Sequence, residues 1–267
     1  MTEKPVLWEH DDRGVATVTL NRPNLNNAYN ADLIDGLHQA MDALGGLPDL
    51  RVVVIKGAGK HFQAGADLKW LNAVRDGNRA ENIAASRATA LAVDRLNRLP
   101  LPTVALVQGF CVGGGTGLLS ACDVVIAEDT AKFAISEVRW GLTASIIFPQ
   151  LNDAIGVRQV RRYALTGERF DAAEARRIGL VHEVVAAGEL AATGERIVAA
   201  LLENAPAAIA ETKQLALAHA FGDVGGGTFE ALVNNHAAKR QSDEAAEGLA
   251  SFAEKRPADW LSVGRKS

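Results

Sequence analysis

Positive charge is not in excess in this chain. Its 267 residues carry 28 Lys and Arg against 32 Asp and Glu, a formal net charge of −4. That balance leaves no basic footprint for nucleic acid or for an anionic membrane. Cysteine is nearly absent: Cys111 and Cys122 both lie in one glycine-rich stretch. They read as small packing residues rather than as a disulfide or a metal pair. No apolar run approaches the ~20 residues of a membrane span, and the opening MTEKPVLWEHDD has no apolar signal core. The expectation is a reducing, cytoplasmic setting with no membrane partner. Several catalytic signatures are also missing. There is no P-loop, no H-E-x-x-H and no G-x-S-x-G, and Leu118 stands where a G-x-G-x-x-G would need its last glycine. Dinucleotide, nucleoside triphosphate and serine hydrolase chemistry lose support. The six histidines (His10, His38, His61, His182, His219 and His236) are scattered without ligand spacing, so no metal site is expected and each reads as a surface or packing residue.

At 48% hydrophobic and 22% charged, the chain is an ordinary globular sequence with a substantial core. Aromatics make up only 5%, so alanine, valine and leucine do most of the packing. Val6–Trp8 and Val15–Leu20 flank a polar turn and predict a hairpin. Asn30 or Asp32 can cap a helix that ends at Gly45-Gly46. Arg51–Lys56 predicts a buried strand, and Arg79–Leu99 a helix stopped by Pro100 and Pro102. Beyond residue 150 helices dominate, interrupted by a short strand at His182–Val185. The fold class expected is α/β, with a core over residues 1–204 and a helical region over 205–267. Gly222–Gly227 (GDVGGG) is the expected flexible joint.

Two stretches suggest chemistry. In Val104–Asp123 (VALVQGFCVGGGTGLLSACD) an apolar strand runs to Gln108-Gly109, and Gly113, Gly114 and Gly115 precede a small-residue helix. Glycines there leave backbone N–H groups free of bulk and without intrahelical partners. Such donors suit an oxygen that gains negative charge, although a tight packing turn uses the same residues. Ala64-Gly65-Ala66-Asp67-Leu68 is a second turn of this kind, again after a buried strand and before a helix. One N–H from each would make a two-donor hole.

These stretches, taken together, resemble the enoyl-CoA hydratase/isomerase (crotonase) superfamily. The likeness covers nearly the whole chain: LNRPNLNNAYN (20–30), HFQAGADLKWL (61–71), VQGFCVGGGTGLLSACDVVIA (107–127), KFAISEVRWGL (132–142), ALTGERFDAAEARRIGLVHEVV (164–185) and GLASFAEKRPADW (248–260). The resemblance implies a crotonase-like spiral of ββα units with a C-terminal helical trimerisation region, assembled as a homotrimer or a hexamer. It implies an acyl-CoA thioester substrate, with coenzyme A as part of that substrate and no separate cofactor. Carried over residue by residue, the oxyanion donors are Ala66 and Gly114. Leu25, Ala64, Asp67 and Leu68 would line the bent CoA. Phe252 and Lys255 match tail positions that reach CoA, in some members from a neighbouring subunit.

Hydratases of this family carry two glutamates. The second is present as Glu137 in ISEVRWGL, while the position of the first is Gly117. A subset with glycine there and with SEVR-x-GL hydrates branched glutaconyl-CoA esters, whose second carboxylate needs a cation. Arg139 lies two residues beyond Glu137, so in an extended segment the two side chains share a face; a surface arginine or an inter-subunit salt bridge is the equal alternative. Trp140 and the run Ile146–Phe148 supply apolar walls, and the space at Gly117 is expected to admit a bulky acyl chain. The leading expectation is a 2-enoyl-CoA hydratase. A Δ3,Δ2-enoyl-CoA isomerase needs only one base and is the rival. The acidity of the chain opposes a third reading, a non-catalytic or RNA-binding member.

Overall fold

The structure, a computed structural model, describes residues 4–47, 49–204, 206–220 and 227–256. Along the chain the order is β1 (Val6–His10), β2 (Val15–Leu20), α1 (Ala31–Gly45), β3 (Val52–Gly57), α2 (Leu68–Asp76), α3 (Arg79–Asn97), β4 (Thr103–Val107), β5 (Phe110–Val112) and α4 (Gly114–Ser120). It continues with β6 (Val124–Glu128), β7 (Lys132–Ala134), α5 (Phe148–Thr166), β8 (Phe170–Asp171), α6 (Ala172–Ile178), β9 (Glu183–Val185), α7 (Leu190–Leu202), α8 (Pro206–Ala220), α9 (Gly227–Arg240) and α10 (Asp243–Ala253).

The strands form two sheets. The larger runs β1-β2-β3-β4-β6-β9 and the smaller β5-β7-β8. β1 and β2 are the antiparallel hairpin, and every later pairing in the large sheet is parallel. Parallel strands need both faces covered, and the sequence supplies two apolar faces by simple alternation. Val53, Ile55, Ala105, Val107, Val125 and Ala127 face the main core, which α1 and α3 also enter. Val52, Val54, Val104 and Ile126 face the other way, under Val198 of α7. α1 follows the same logic with a period of three to four. Leu33, Ile34, Leu37, Ala40, Met41 and Leu44 are buried, and Asn30 rather than Asp32 caps it by accepting from the Leu33 N–H.

From β3 onward the chain passes from the large sheet to the small one. β4 leads into β5 and then α4, and β6 leads into β7. After β3 the chain bridges Gln63 to Cys111 of the small sheet before entering α2. This is the ββα spiral expected from the resemblance. One step of it departs from the expected strand, glycine turn and helix: Phe110–Val112 is a second strand. It was unrecognisable as one because three residues between glycines carry no period. Cys111 and Cys122 are free, buried thiols, as packing residues should be.

The C-terminal helices do not stand apart from the core. Val233 of α9 belongs to the main cluster, and α9 lies along α3. α10 packs on the 3-10 turn Glu137–Trp140 and on α2. Of the expected flexible joint, residues 222–226 lie outside the described residues, and Gly227 opens α9.

Candidate active site

The two donor loops line one cleft of about 450 Å³. Their amides are left free by their neighbours' hydrogen bonding. Tyr29 forms a parallel bridge to Ala66: its N–H donates to the Gly65 carbonyl (2.9 Å) and its carbonyl accepts from the Asp67 N–H (2.8 Å). Backbone polar groups alternate in direction along an extended segment, so the intervening Ala66 N–H is turned away from that bridge. The Gly114 N–H opens α4 and has no residue four back inside the helix. Neither amide has an acceptor among the described residues. Both residues are half-buried on the cleft wall, and two acceptor-free amides on the same cleft form the central feature of the site.

Local packing fixes both loops. The Gln63 side chain is fully buried, accepts from the Gly65 N–H at 2.9 Å and donates to the Gly65 carbonyl at 3.2 Å. Gly113 has φ +55, which disfavours any side chain. Gly115 sits so close to Gln63 that a Cβ would lie 2.4 Å from its Oε1. The glycines therefore let the two loops approach each other.

Glu137 faces this pair from the 3-10 turn. A Cβ on Gly113 would lie 3.3 Å from its Oε1, while Oε2 is sealed from solvent without a hydrogen-bond partner among the described residues. Burial raises its pKa from 4.5 to about 7, partly opposed by the backbone N–H groups of Glu137 and Ser136. A carboxyl poised near neutrality can both take and return a proton.

The remaining expected residues divide. Leu25, Ala64, Asp67, Leu68, Trp140 and Phe252 line the cleft. Asp67 caps α2 through the Lys69 and Trp70 amides and pairs with Arg22 at 2.9 Å. Burial opposes its charge, but these bonds hold its carboxyl below the usual value. Phe252 lies edge-on to Trp140 of the same chain, with centroids 4.2 Å apart, so the tail reaches its own cleft. Lys255 is exposed beyond the end of α10 and does not line the cleft.

Two expectations are corrected. Arg139 does not share a face with Glu137, because Glu137–Trp140 is a 3-10 turn rather than extended chain. Its exposed side chain instead lies against Gly167, outside the cleft. Gly117 opens no acyl space. A Cβ there would sit 2.3 Å from Cγ2 of Ile147, so the volume of the missing glutamate is filled by core.

Three residues that sequence reasoning passed over line the site. Tyr29 packs its ring on Gly114, within 2.6 Å of where a Cβ would stand. Burial, then the charge of Glu137, pushes its pKa up to about 12. His236 and Arg240, one helical turn apart on α9, also line the cleft. Burial and then Arg240 drive the His236 pKa down to about 3, so the ring is neutral. The i, i+4 spacing was the available signal. A small apolar chamber of about 30 Å³ adjoins Tyr29, Gly114, Glu137 and His236, walled by residues such as Leu33, Val93, Leu118 and Ile147. Among the described residues no cluster could hold a metal ion, and no helix is long and apolar enough to cross a membrane.

Known proteins were then compared with the chain. It is 36% identical over 244 residues to a Thermus thermophilus protein provisionally named an enoyl-CoA hydratase, covering 91% of this chain and 96% of the relative. It is 29% identical over 261 residues to a mitochondrial Δ(3,5)-Δ(2,4)-dienoyl-CoA isomerase of Dictyostelium discoideum, with 94% and 88% covered. The crystal structure of an enoyl-CoA hydratase from Mycobacterium avium superposes with a TM-score of 0.86 at 32% identity, over 97% of this chain and all of that one. The sequence profile of the enoyl-CoA hydratase/isomerase family matches residues 10–263, and on that extent of agreement the chain belongs to this family, the crotonase superfamily.

Proposed function

We propose that the chain hydrates 2-enoyl-CoA thioesters with Glu137 as its only catalytic carboxylate, the acyl group being a branched glutaconyl. The observation that carries this reading is the pair of acceptor-free amides, Ala66 and Gly114, on the same cleft as a buried carboxyl with a pKa of about 7. The thioester oxygen lies between the two N–H groups, which strengthen their hold as it becomes an enolate oxygen. Glu137 takes a proton from water, the hydroxide adds at C3, and the carboxylic acid returns the proton to C2. Water is consumed, one C=C π bond is lost, and no cofactor beyond the substrate's coenzyme A takes part. A cytoplasmic trimer or hexamer belongs to the same reading.

One observation favours a second reading. With Gly117 packed on Ile147, the family's first glutamate has no counterpart, and a single base suffices to move a proton between C2 and C4 in a Δ3,Δ2-isomerase. A panel of crotonyl-, 3-enoyl- and 3-methylglutaconyl-CoA, followed by absorbance and product mass, decides. Hydration predicts a gain of one water. An unchanged mass with a shifted double bond assigns the isomerase, and silence on all three refutes both.

A further inference from the structure

Two side chains that line both the cleft and the small chamber end in polar atoms that bond to nothing among the described residues. They are the Tyr29 hydroxyl and Nε2 of His236. Neither atom is sealed, whereas Oε2 of Glu137 is, so Oε1 is the oxygen that Glu137 offers to the same space. The proton on the imidazole can be placed. Ser86 Oγ accepts from Nη2 of Arg240 and lies 3.0 Å from His236 Nδ1. A guanidinium can only donate, so the Ser86 proton goes to Nδ1. Burial and then Arg240 hold the ring neutral, with a pKa of about 3, so its single proton sits on Nε2. His236 therefore presents an N–H donor in a tautomer fixed from α3. Thr89, also on the chamber wall, spends its hydroxyl proton on the Ala85 carbonyl at 2.9 Å. The chamber, about 30 Å³, has room for one or two waters. A water held in protein needs two to four polar partners, and Glu137, Tyr29 and His236 supply three.

We infer that His236 and Tyr29 hold the nucleophilic water against Glu137, in place of the family's first glutamate, whose space Ile147 fills. The inference rests on the hydratase reading above and deepens it. The water accepts from His236 Nε2–H and from the Tyr29 hydroxyl, and it donates to Oε1 of Glu137. Both lone pairs and the departing proton are thereby directed. The water oxygen bonds to C3 as the C=C π pair moves toward the thioester oxygen. Its proton passes to Glu137 and from there to C2. His236 stays neutral throughout and transfers no proton. Ser86 and Arg240 are positioning residues, because they act only through the tautomer of the imidazole.

Two measurements test it. Nitrogen NMR of the full chain with labelled histidine should show His236 neutral and protonated on Nε2 near pH 7. A proton on Nδ1 overturns the inference whatever the enzyme does. Kinetics then separates the water from proton transfer. Hydration of crotonyl- or 3-methylglutaconyl-CoA needs the held water, whereas deuterium uptake from solvent at C2 of butyryl-CoA needs only Glu137 and the two amides. His236→Leu should lower the hydration kcat roughly 10²-fold and leave KM and deuterium uptake within a few-fold. His236→Gln, whose amide N–H can stand near the place of Nε2–H, should recover part of the rate. Tyr29→Phe should slow hydration in the same selective way. Should the leucine variant not fold, Tyr29→Phe and the tautomer decide. Hydration at the wild-type rate in His236→Leu, or an equal loss of hydration and uptake, overturns the inference and makes His236 a packing residue. Neither outcome touches the hydratase reading. A wild type that moves the double bond without adding water sinks that reading, and this inference with it.

Discussion

Replacing Glu137 by glutamine should destroy turnover and shift stability in the variant's favour as pH rises, by an amount that can be worked out. The carboxyl titrates at about 7 in the fold against 4.5 when unperturbed. Between those values the folded chain holds a proton that the unfolded chain has released, so stability falls as pH rises. The loss is absent well below 4.5 and complete above about 7. At 1.36 kcal/mol per pKa unit the full penalty is about 3 kcal/mol, or a melting shift of roughly 6 °C for a chain of this size. Glutamine brings its own cost, an imperfectly paired buried amide of about 1–3 kcal/mol, but that cost does not vary with pH. Melting curves of wild type and Glu137→Gln, recorded from about pH 4 to pH 8, should therefore diverge in favour of the variant. A constant gap across that range would mean that the carboxyl is not held near neutrality, and the assignment of base and acid to one group would fall with it. In the same samples, turnover should drop by ~10²–10⁴ with CoA-ester binding preserved.

Gly117→Ala should lose roughly 1–3 kcal/mol in urea unfolding, because its methyl enters the space of Ile147. For the same reason Gly117→Glu should not create hydration of crotonyl-CoA, and a gain of that activity would refute the packing argument. Gly114→Pro deletes one of the two free amides and also presses a Cβ onto the Tyr29 ring, so turnover should fall by at least roughly 10²–10³-fold. Unchanged turnover would exclude Gly114 as a donor. Light scattering at micromolar concentration should report a trimer or hexamer, and a monomer would refute the assembly.

Much of the frame was legible because it obeys local rules. The valine runs at 52–54 and 104–107, the Asn30 cap and the glycine turns all follow from period and propensity. The acceptor-free amides of Ala66 and Gly114 lie in the AGAD and GGG stretches that the sequence already singles out. What was not legible depends on approach between distant segments. Nothing near Gly117 in sequence reveals Ile147, and the three residues of β5 show their strand character only beside β7. Arg139 was misplaced because a 3-10 turn and an extended segment are indistinguishable over four residues. Arg240 and His236 stayed hidden because their meaning comes from α3, against which α9 lies. A histidine and an arginine on a helix are otherwise ordinary.

The seat of α10 bears on how the enzyme comes into being. Gly248 lies so close to the backbone of Trp140 that a Cβ would meet its carbonyl at 2.2 Å, and Phe252 closes on the same tryptophan ring. The turn that presents Glu137 is therefore completed by the last described helix. During synthesis the sheets and both amide loops emerge first and can fold as the chain lengthens. The carboxylate gains its final support only when α10 leaves the ribosome and docks. A nascent or C-terminally trimmed chain would then carry both free amides with the turn bearing Glu137 unsupported. The site as described is thus complete only once α10 has docked.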